Sequence, residues 1–310
     1  MRYHFRSALL LINALLFGAC QKEQVYNQPA AATQATYTAT ARSSHPDEAL
    51  TPGGWRPKSN VHRLAPGQYL DASNGRLRTR DRATRQVVSD YGLIEQNSVP
   101  SRQTQRLEEG WITSTRWTNK TGSPISYFST KWTVPPVPKS SNGQTIFIFN
   151  GIVNSDAILQ PVLQWGPSAG GGGEYWTIAS WYVTRTGLAW YTDPVRVKPG
   201  TNLHGVITLT DSVGTDYCYT ASFSGYPATA FDAQIIEELT LATEALEAYN
   251  VTVCSDYPAT TKTRMHSIEL KTDNKQAPLS WNVLDQVRDC GQYSKVVTNG
   301  TPKGVVDIFY

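Results

Sequence analysis

The side chains in this 310-residue sequence that could do chemistry are carboxylates and amides. Beyond the N-terminal stretch, histidines occur only at 45, 62, 204 and 266, with no metal-like spacing. His266, inside the apolar run Arg264–Leu270, reads as a structural residue. There is no Gly-x-Ser-x-Gly elbow and no His-Glu-x-x-His motif. Cys218, Cys254 and Cys290 lack the spacing of a zinc site. Gly170–Gly173 is not followed by Gly-Lys-Ser/Thr, so it reads as a hairpin connection rather than a phosphate loop. No metal and no other cofactor is expected. Paired carboxylates could serve glycoside hydrolysis, yet no pair stands out by spacing. What does stand out is Ala157-Ile158-Leu159-Gln160-Pro161-Val162-Leu163-Gln164-Trp165-Gly166. It reads as a strand, and alternation puts Ile158, Gln160, Val162 and Gln164 on one face. A buried amide without partners costs roughly 1–3 kcal/mol, so two glutamines on an apolar strand need either a solvated face or a purpose.

The elements that must position these groups are short. Runs rich in Thr, Val, Ile, Tyr and Trp recur from Trp111 onward, between Gly, Pro and Asn turns. They are Ser126–Val134, Thr145–Phe149, Ile158–Trp165, Tyr175–Val183, Leu188–Tyr191, Val206–Leu209, Tyr217–Phe223, Arg264–Leu270 and Gly304–Tyr310. This texture predicts an all-β domain over 107–310, an antiparallel two-sheet β-sandwich. One segment has two readings. Ile235, Leu239, Ala242, Leu246 and Tyr249 follow a helical period, and the Gln/Glu/Ala/Leu content agrees. As a strand, Thr243, Ala245, Glu247, Tyr249 and Val251 would share a face. Local pattern favours the helix. Among the cysteines the expected disulfide is Cys254–Cys290, because Cys218 lies inside a strand-like run.

Residues 1–19 read as an export signal: Arg2 and Arg6, then an apolar run from Ala8 to Phe17 too short to span a bilayer. Gly18-Ala19-Cys20 resembles the lipobox of bacterial lipoproteins, with Phe17 where Leu is usual. That resemblance implies lipid on Cys20 and a cell-envelope lipoprotein; plain secretion is the alternative. Residues 20–54, rich in Ala, Thr, Gln, Ser and Pro, read as a low-order tether. Residues 55–106 are basic, with ten Lys/Arg against four Asp/Glu, whereas 107–310 carry fourteen against eighteen. The two parts should attract each other, and acid should weaken that attraction. No nucleic-acid-binding motif accompanies the basic stretch, so nucleic acid is not an expected partner. Asn74-Gly75 signals a hairpin turn there, but the segment reads as peripheral or removable.

Trp132-Thr133-Val134-Pro135, Asn150-Gly151, Ala157-Ile158-Leu159-Gln160 and Ala179-Ser180-Trp181-Tyr182 resemble, in order and spacing, segments of the glutamic peptidases, or eqolisins. The resemblance covers about residues 111–310. It implies a concanavalin-like sandwich of two curved sheets, and a catalytic pair of the glutamine in Ile-Leu-Gln and a later strand-borne glutamate. The glutamine is then Gln160; Glu247 is the first candidate for the glutamate and Glu237 the second. The substrate would be a protein or peptide, met by Asn150, Gln164, Trp165, Trp176, Trp181 and Tyr182. A carboxylate can take a proton from attacking water, and a neutral amide can donate to the oxyanion, a contribution of about 2.7–4 kcal/mol per donor. The family's precursors also carry a basic propeptide, similar to 55–106. The chain departs from the pattern at Asn150, where the family has an acid, and at Val183, where it has another. Two other readings stand beside this one. Trp165, Trp176, Trp181, Trp190 and Tyr191 could line a lectin-like groove for glycans or peptides, or the domain could be a surface protein with no small ligand.

Overall fold

Alternating apolar residues and turn residues make strands throughout the residues that the computed structural model describes, 46–94 and 110–310. The signal, the Cys20 lipobox and the tether up to 45 lie outside the described residues, as do 95–109. The first part carries β1 (Glu48–Thr51), β2 (Gly54–Pro57), β3 (Val61–Arg63), β4 (Gln68–Asp71), β5 (Arg76–Asp81) and β6 (Val87–Leu93). The middle carries β7 (Trp111–Thr118), β8 (Ile125–Thr133), β9 (Thr145–Val153), β10 (Ala157–Ser168), β11 (Gly171–Thr184), β12 (Ala189–Tyr191) and β13 (Val195–Val197). Then come β14 (Asn202–Val213), β15 (Asp216–Phe223), β16 (Tyr226–Ile236), β17 (Leu241–Tyr249) and β18 (Lys262–Thr272). The chain ends with β19 (Lys275–Gln276), β20 (Asn282–Asp285), β21 (Tyr293–Thr298) and β22 (Gly304–Phe309).

These strands build the expected all-β sandwich. One sheet runs β20-β7-β17-β9-β10-β11-β12-β3, and the other β21-β22-β18-β8-β14-β15-β16-β4-β5-β6. Between them lies the main core, with Ile148, Leu159, Leu163 and Trp176 of the first sheet and Phe128, Trp132, Ile207 and Phe231 of the second. Each such side chain contributes about 1.5–3 kcal/mol by leaving water. The outer face of the first sheet carries a second apolar cluster, including Phe147, Phe149, Ile158, Val162, Trp181 and Tyr249. Leu50 of β1 belongs to that cluster, so the β1–β2 hairpin lies on this outer face.

Residues 235–249 do not form a helix. β17 is flanked by β9, paired along its whole length, and by β7, paired from Leu241 to Glu247 with a bulge after Leu246, and that pairing outweighs the helical propensity of Glu, Ala and Leu. The N-terminal part also differs from expectation. Residues 48–54, read as tether, are in the hairpin, and the basic segment is built into both sheets. β3 pairs parallel to the edge strand β12, and β4 pairs parallel to β16. Leu64, Leu70 and Leu77 are buried in the main core. Few apolar residues suffice because the sheets supply the rest of the core and the edges to pair with. Charge plays a lesser part. Arg76 and Arg78 pair with Asp90, and Arg80 with Asp71, all within the segment. Arg63–Asp193 and Arg82–Asp232 reach the rest of the domain; such partly exposed pairs contribute about 0–1 kcal/mol each. The Cys254–Cys290 disulfide is formed, and Cys218 on β15 is a free thiol.

Candidate active site

Strand register decides which side chains can meet. On the outer face of the first sheet, Glu247 lies beside Phe147 of β9, which lies beside Gln164 of β10, which lies beside Thr177 of β11. Two residues along, the row is Ala245, Phe149, Val162 and Ala179. Two more along, Thr243 pairs with Gly151, and Gln160 pairs with Trp181. The register of β9 with β10 puts Gly151 beside Gln160: a Cβ on Gly151 would sit 3.3 Å from the Gln160 Cβ.

Gln160 and Glu247 therefore share a face. They are four residues out of register across two strand spacings, about 16 Å between Cα atoms on flat-sheet geometry. The Phe149 and Val162 row lies between them, and no hydrogen bond joins the two. Among the described residues Gln160 Oε1 is buried without a partner, as are Thr243 Oγ1 and Trp181 Nε1 of the same row.

Glu247 is fully buried and bound on one oxygen. Its Oε1 accepts from the Gly53 N–H at 2.6 Å and from the Tyr249 hydroxyl. Gly53 is the second residue of the Pro52-Gly53 turn and takes φ +84°, the type II geometry that favours glycine. Arg56 of β2 is 1% exposed, donating to Thr51 Oγ1 at 3.0 Å and to the Thr184 carbonyl at 3.3 Å. Burial pushes the Glu247 carboxyl up to about 8, against the hydrogen bonds from Tyr249 and Gly53 and the charge of Arg56. The same desolvation pushes Arg56 down to about 10. A carboxyl in this state is mostly neutral near neutral pH and is not yet a base.

The remaining candidates divide by strand alternation. Trp181 and Gln164 share the outer face. Gln164, however, spends its amide on the β10–β11 hairpin, donating to the Gly166 and Gly171 carbonyls at 2.7 and 2.8 Å and accepting from Ser168 at 2.9 Å. Trp165, Trp176 and Tyr182 point into the main core, with Trp190. That corrects their assignment to a substrate groove: odd and even positions of one strand cannot serve the same face. Asn150 also turns inward, where its Nδ2 donates to the Gly205 carbonyl at 3.5 Å. Directly opposite Asn150 on β17 is Glu244, a fully buried carboxyl that accepts from Thr130 and is raised well above its ordinary value by burial. Glu237 follows β16, is exposed, and lies away from Gln160. Sequence reading missed Gly53, Arg56, Tyr249 and Glu244; only Tyr249 carried a signal, through its place in the alternating Thr243–Val251 face.

Among the described residues no group of three His, Cys, Asp or Glu side chains is arranged to hold a metal ion. No family model matches the chain and no curated protein sequence matches it. Among solved structures, scytalido-glutamic peptidase with a transition state analog inhibitor is similar at TM-score 0.45 and 14% identity, over 65% of this chain and 98% of that one. SCP-B, a member of the Eqolisin family of peptidases in complex with the tripeptide Ala-Ile-His, is similar at TM-score 0.41 and 13% identity, over 64% and 98%. Toad ovary galectin with thio-digalactose gives TM-score 0.25 and 13% identity, over 44% and 91%. The roles open to Gln160 and Glu247 rest on their own geometry.

Proposed function

We propose that the outer face of the first sheet is the peptide-binding face of an exported acid endopeptidase of the glutamic type, held latent by the β1–β2 hairpin. The observation behind this reading is the Gly53 N–H on Glu247. A stretch of polypeptide lies on this face and presents its backbone amide to the carboxylate, as a substrate peptide would. Glu247 is the general base on a protein or peptide substrate; Gln160, about 16 Å along the same face, is beyond reach of the same oxyanion and instead holds the peptide further along the face. The hairpin blocks both roles, covering the face and keeping Glu247 neutral. Signal removal, lipid on Cys20 and a cell-envelope or secreted location belong to this proposal and rest on the sequence.

The test uses the full chain with an unfolded protein substrate at about pH 3–5, where carboxylates titrate. Leu50→Asp, which unseats the hairpin from its apolar cluster, should cleave at least about tenfold faster than wild type, a difference of about 1.4 kcal/mol. Adding Glu247→Ala should abolish cleavage, whereas adding Gln160→Ala should raise KM with kcat little changed. Folded Leu50→Asp protein without cleavage across that range defeats the proposal. A second reading is favoured by the register offset between Gln160 and Glu247: the same face binds peptide without hydrolysing it. Capture of an extended peptide by an uncleaving Leu50→Asp protein would select it. The burial of Trp165, Trp176 and Trp190 removes the stacking surface that a glycan groove would need.

A further inference from the structure

At the end of the sandwich where the β9–β10, β11–β12 and β14–β15 turns gather, a pocket of about 530 Å³ opens between the sheets. It lies toward the start of β17, whereas Glu247 lies toward its other end, and none of the outer-face residues lines it. Its volume falls in the range of small-molecule sites, about 300–1,000 Å³. The apolar part of its wall includes Leu77, Ile94 and Ile236, and its rim carries Asp156, Asp216, Glu237 and Glu238.

We infer that this pocket binds an organic ammonium carried on an apolar body, the cation among Asp216, Glu237 and Glu238 and the body against Leu77, Ile94 and Ile236. Among the described residues, four carboxylates and no lysine or arginine line it. Among the described residues, Asp156 is the one of the four with a cationic neighbour, Arg185 at 3.3 Å, in an exposed pair. Glu238 accepts from the Tyr217 hydroxyl at 3.4 Å, which leaves its charge uncompensated. A wall of one sign over low-dielectric side chains concentrates the opposite charge. A second feature points to the same ligand. Tyr182 lines the pocket while only 6% exposed, and its hydroxyl has no hydrogen-bond partner among the described residues. Glu237 and Asp156 are close enough to act on that hydroxyl, so a donor entering among them would meet acceptors on three sides. The wall is also built at a cost. Ile235 is held at φ +59°, a conformation that a β-branched residue rarely adopts. A bare metal ion does not fit, because the carboxylates do not converge as a ligand group and the wall between them is apolar.

The source of the ammonium is either a free amine or the lysine side chain of a peptide, and the test separates them. Full-length protein is titrated calorimetrically at about pH 7 with n-hexylammonium, with n-hexanol and hexanoate as matched controls, and with a short peptide carrying one lysine between apolar residues. Hexylammonium should bind saturably, about tenfold or more tighter than hexanol, with hexanoate not binding. Glu237→Gln/Glu238→Gln and, separately, the surface change Asp216→Asn should each weaken hexylammonium and leave hexanol unchanged. The lysine peptide binding more tightly than hexylammonium identifies a peptide ligand, and the reverse identifies a free amine. Equal binding of hexanol and hexylammonium, no effect of the carboxylate changes in folded protein, or no saturation by about 10 mM would overturn the inference. Proteolysis assays on Gln160 and Glu247 are independent of every one of these outcomes.

Discussion

The covering of Glu247 makes a sign prediction that runs against simple acid activation. Under the hairpin the carboxyl is raised from 4.5 to about 8 by desolvation. Uncovered and hydrated, it returns toward the ordinary value, so covering is linked to proton uptake. A group whose covered value lies above its uncovered one favours covering fully below about 4.5 and loses that support as pH rises through about 8. The whole difference corresponds to roughly 5 kcal/mol, and the part falling between about pH 6 and pH 9 to roughly 3 kcal/mol, or about a hundredfold in the opening equilibrium. Among the described residues, Arg56 and Tyr249 are the other titratable groups facing Glu247, and Arg56, at about 10, stays charged through that window. Hydrogen exchange reads the outcome directly at the Gly53 and Gly54 amides. After correction for the intrinsic rate, their protection should fall about a hundredfold from about pH 6 to about pH 9. In Glu247→Gln, which keeps an acceptor for Gly53 and cannot ionise, it should be flat. Protection that is independent of pH in the wild type, or that falls equally in Glu247→Gln, would refute the linkage.

Other consequences are open to measurement. Glu244 is raised by burial, so its contribution to stability is complete below about 4.5 and is lost as pH rises through its folded value; Glu244→Gln should raise the melting temperature more at about pH 8 than at about pH 5, and its new N–H can reach the unpartnered Asn150 Oδ1. Asp307 is lowered by Arg264 and Lys262, so the stability it contributes is present above its unfolded value and lost as pH falls through the lower folded one; with both partners partly exposed, Asp307→Asn should destabilise by about 1 kcal/mol near neutral pH and by less in acid, read by urea unfolding. Closing a separation of 36 residues, the Cys254–Cys290 bridge should contribute about 2–4 kcal/mol, lost in the Cys254→Ala/Cys290→Ala protein.

Much of this was legible in the sequence because alternation is a local signal. Ile158–Trp165 and Tyr217–Phe223 declare themselves as strands, and Gln160 and Gln164 had to share a face. β17 did not declare itself, because Glu, Ala and Leu favour a helix until β7 and β9 occupy both edges. Register was also hidden. Nothing local to Glu247 says that Phe147, not Gly151, lies beside it, so the sequence left open both its face and its row relative to Gln160. The N-terminal part was hidden for another reason: Leu50, Leu64 and Leu70 are too few to make a core, yet each is buried in a core that others make.

That last point locates the latency. If the whole basic segment had to leave to uncover Glu247, β3 and β4 would have to unpair from β12 and β16, exposing an edge on each sheet along with Leu64, Leu70 and Leu77. The β1–β2 hairpin carries no such obligation. Among the described strands it pairs only with itself, and it is tied to the first sheet by Leu50, by the Ala169 N–H on the Leu50 carbonyl at 2.7 Å, by Arg56, and by Gly53 on Glu247. Cleavage in the Lys58–Asn60 turn would therefore free the cover while leaving both sheets paired. A chain nicked there should keep its melting transition within a few degrees and lose protection at Gly53, whereas loss of the fold on nicking would mean that the hairpin is structural and not a cover.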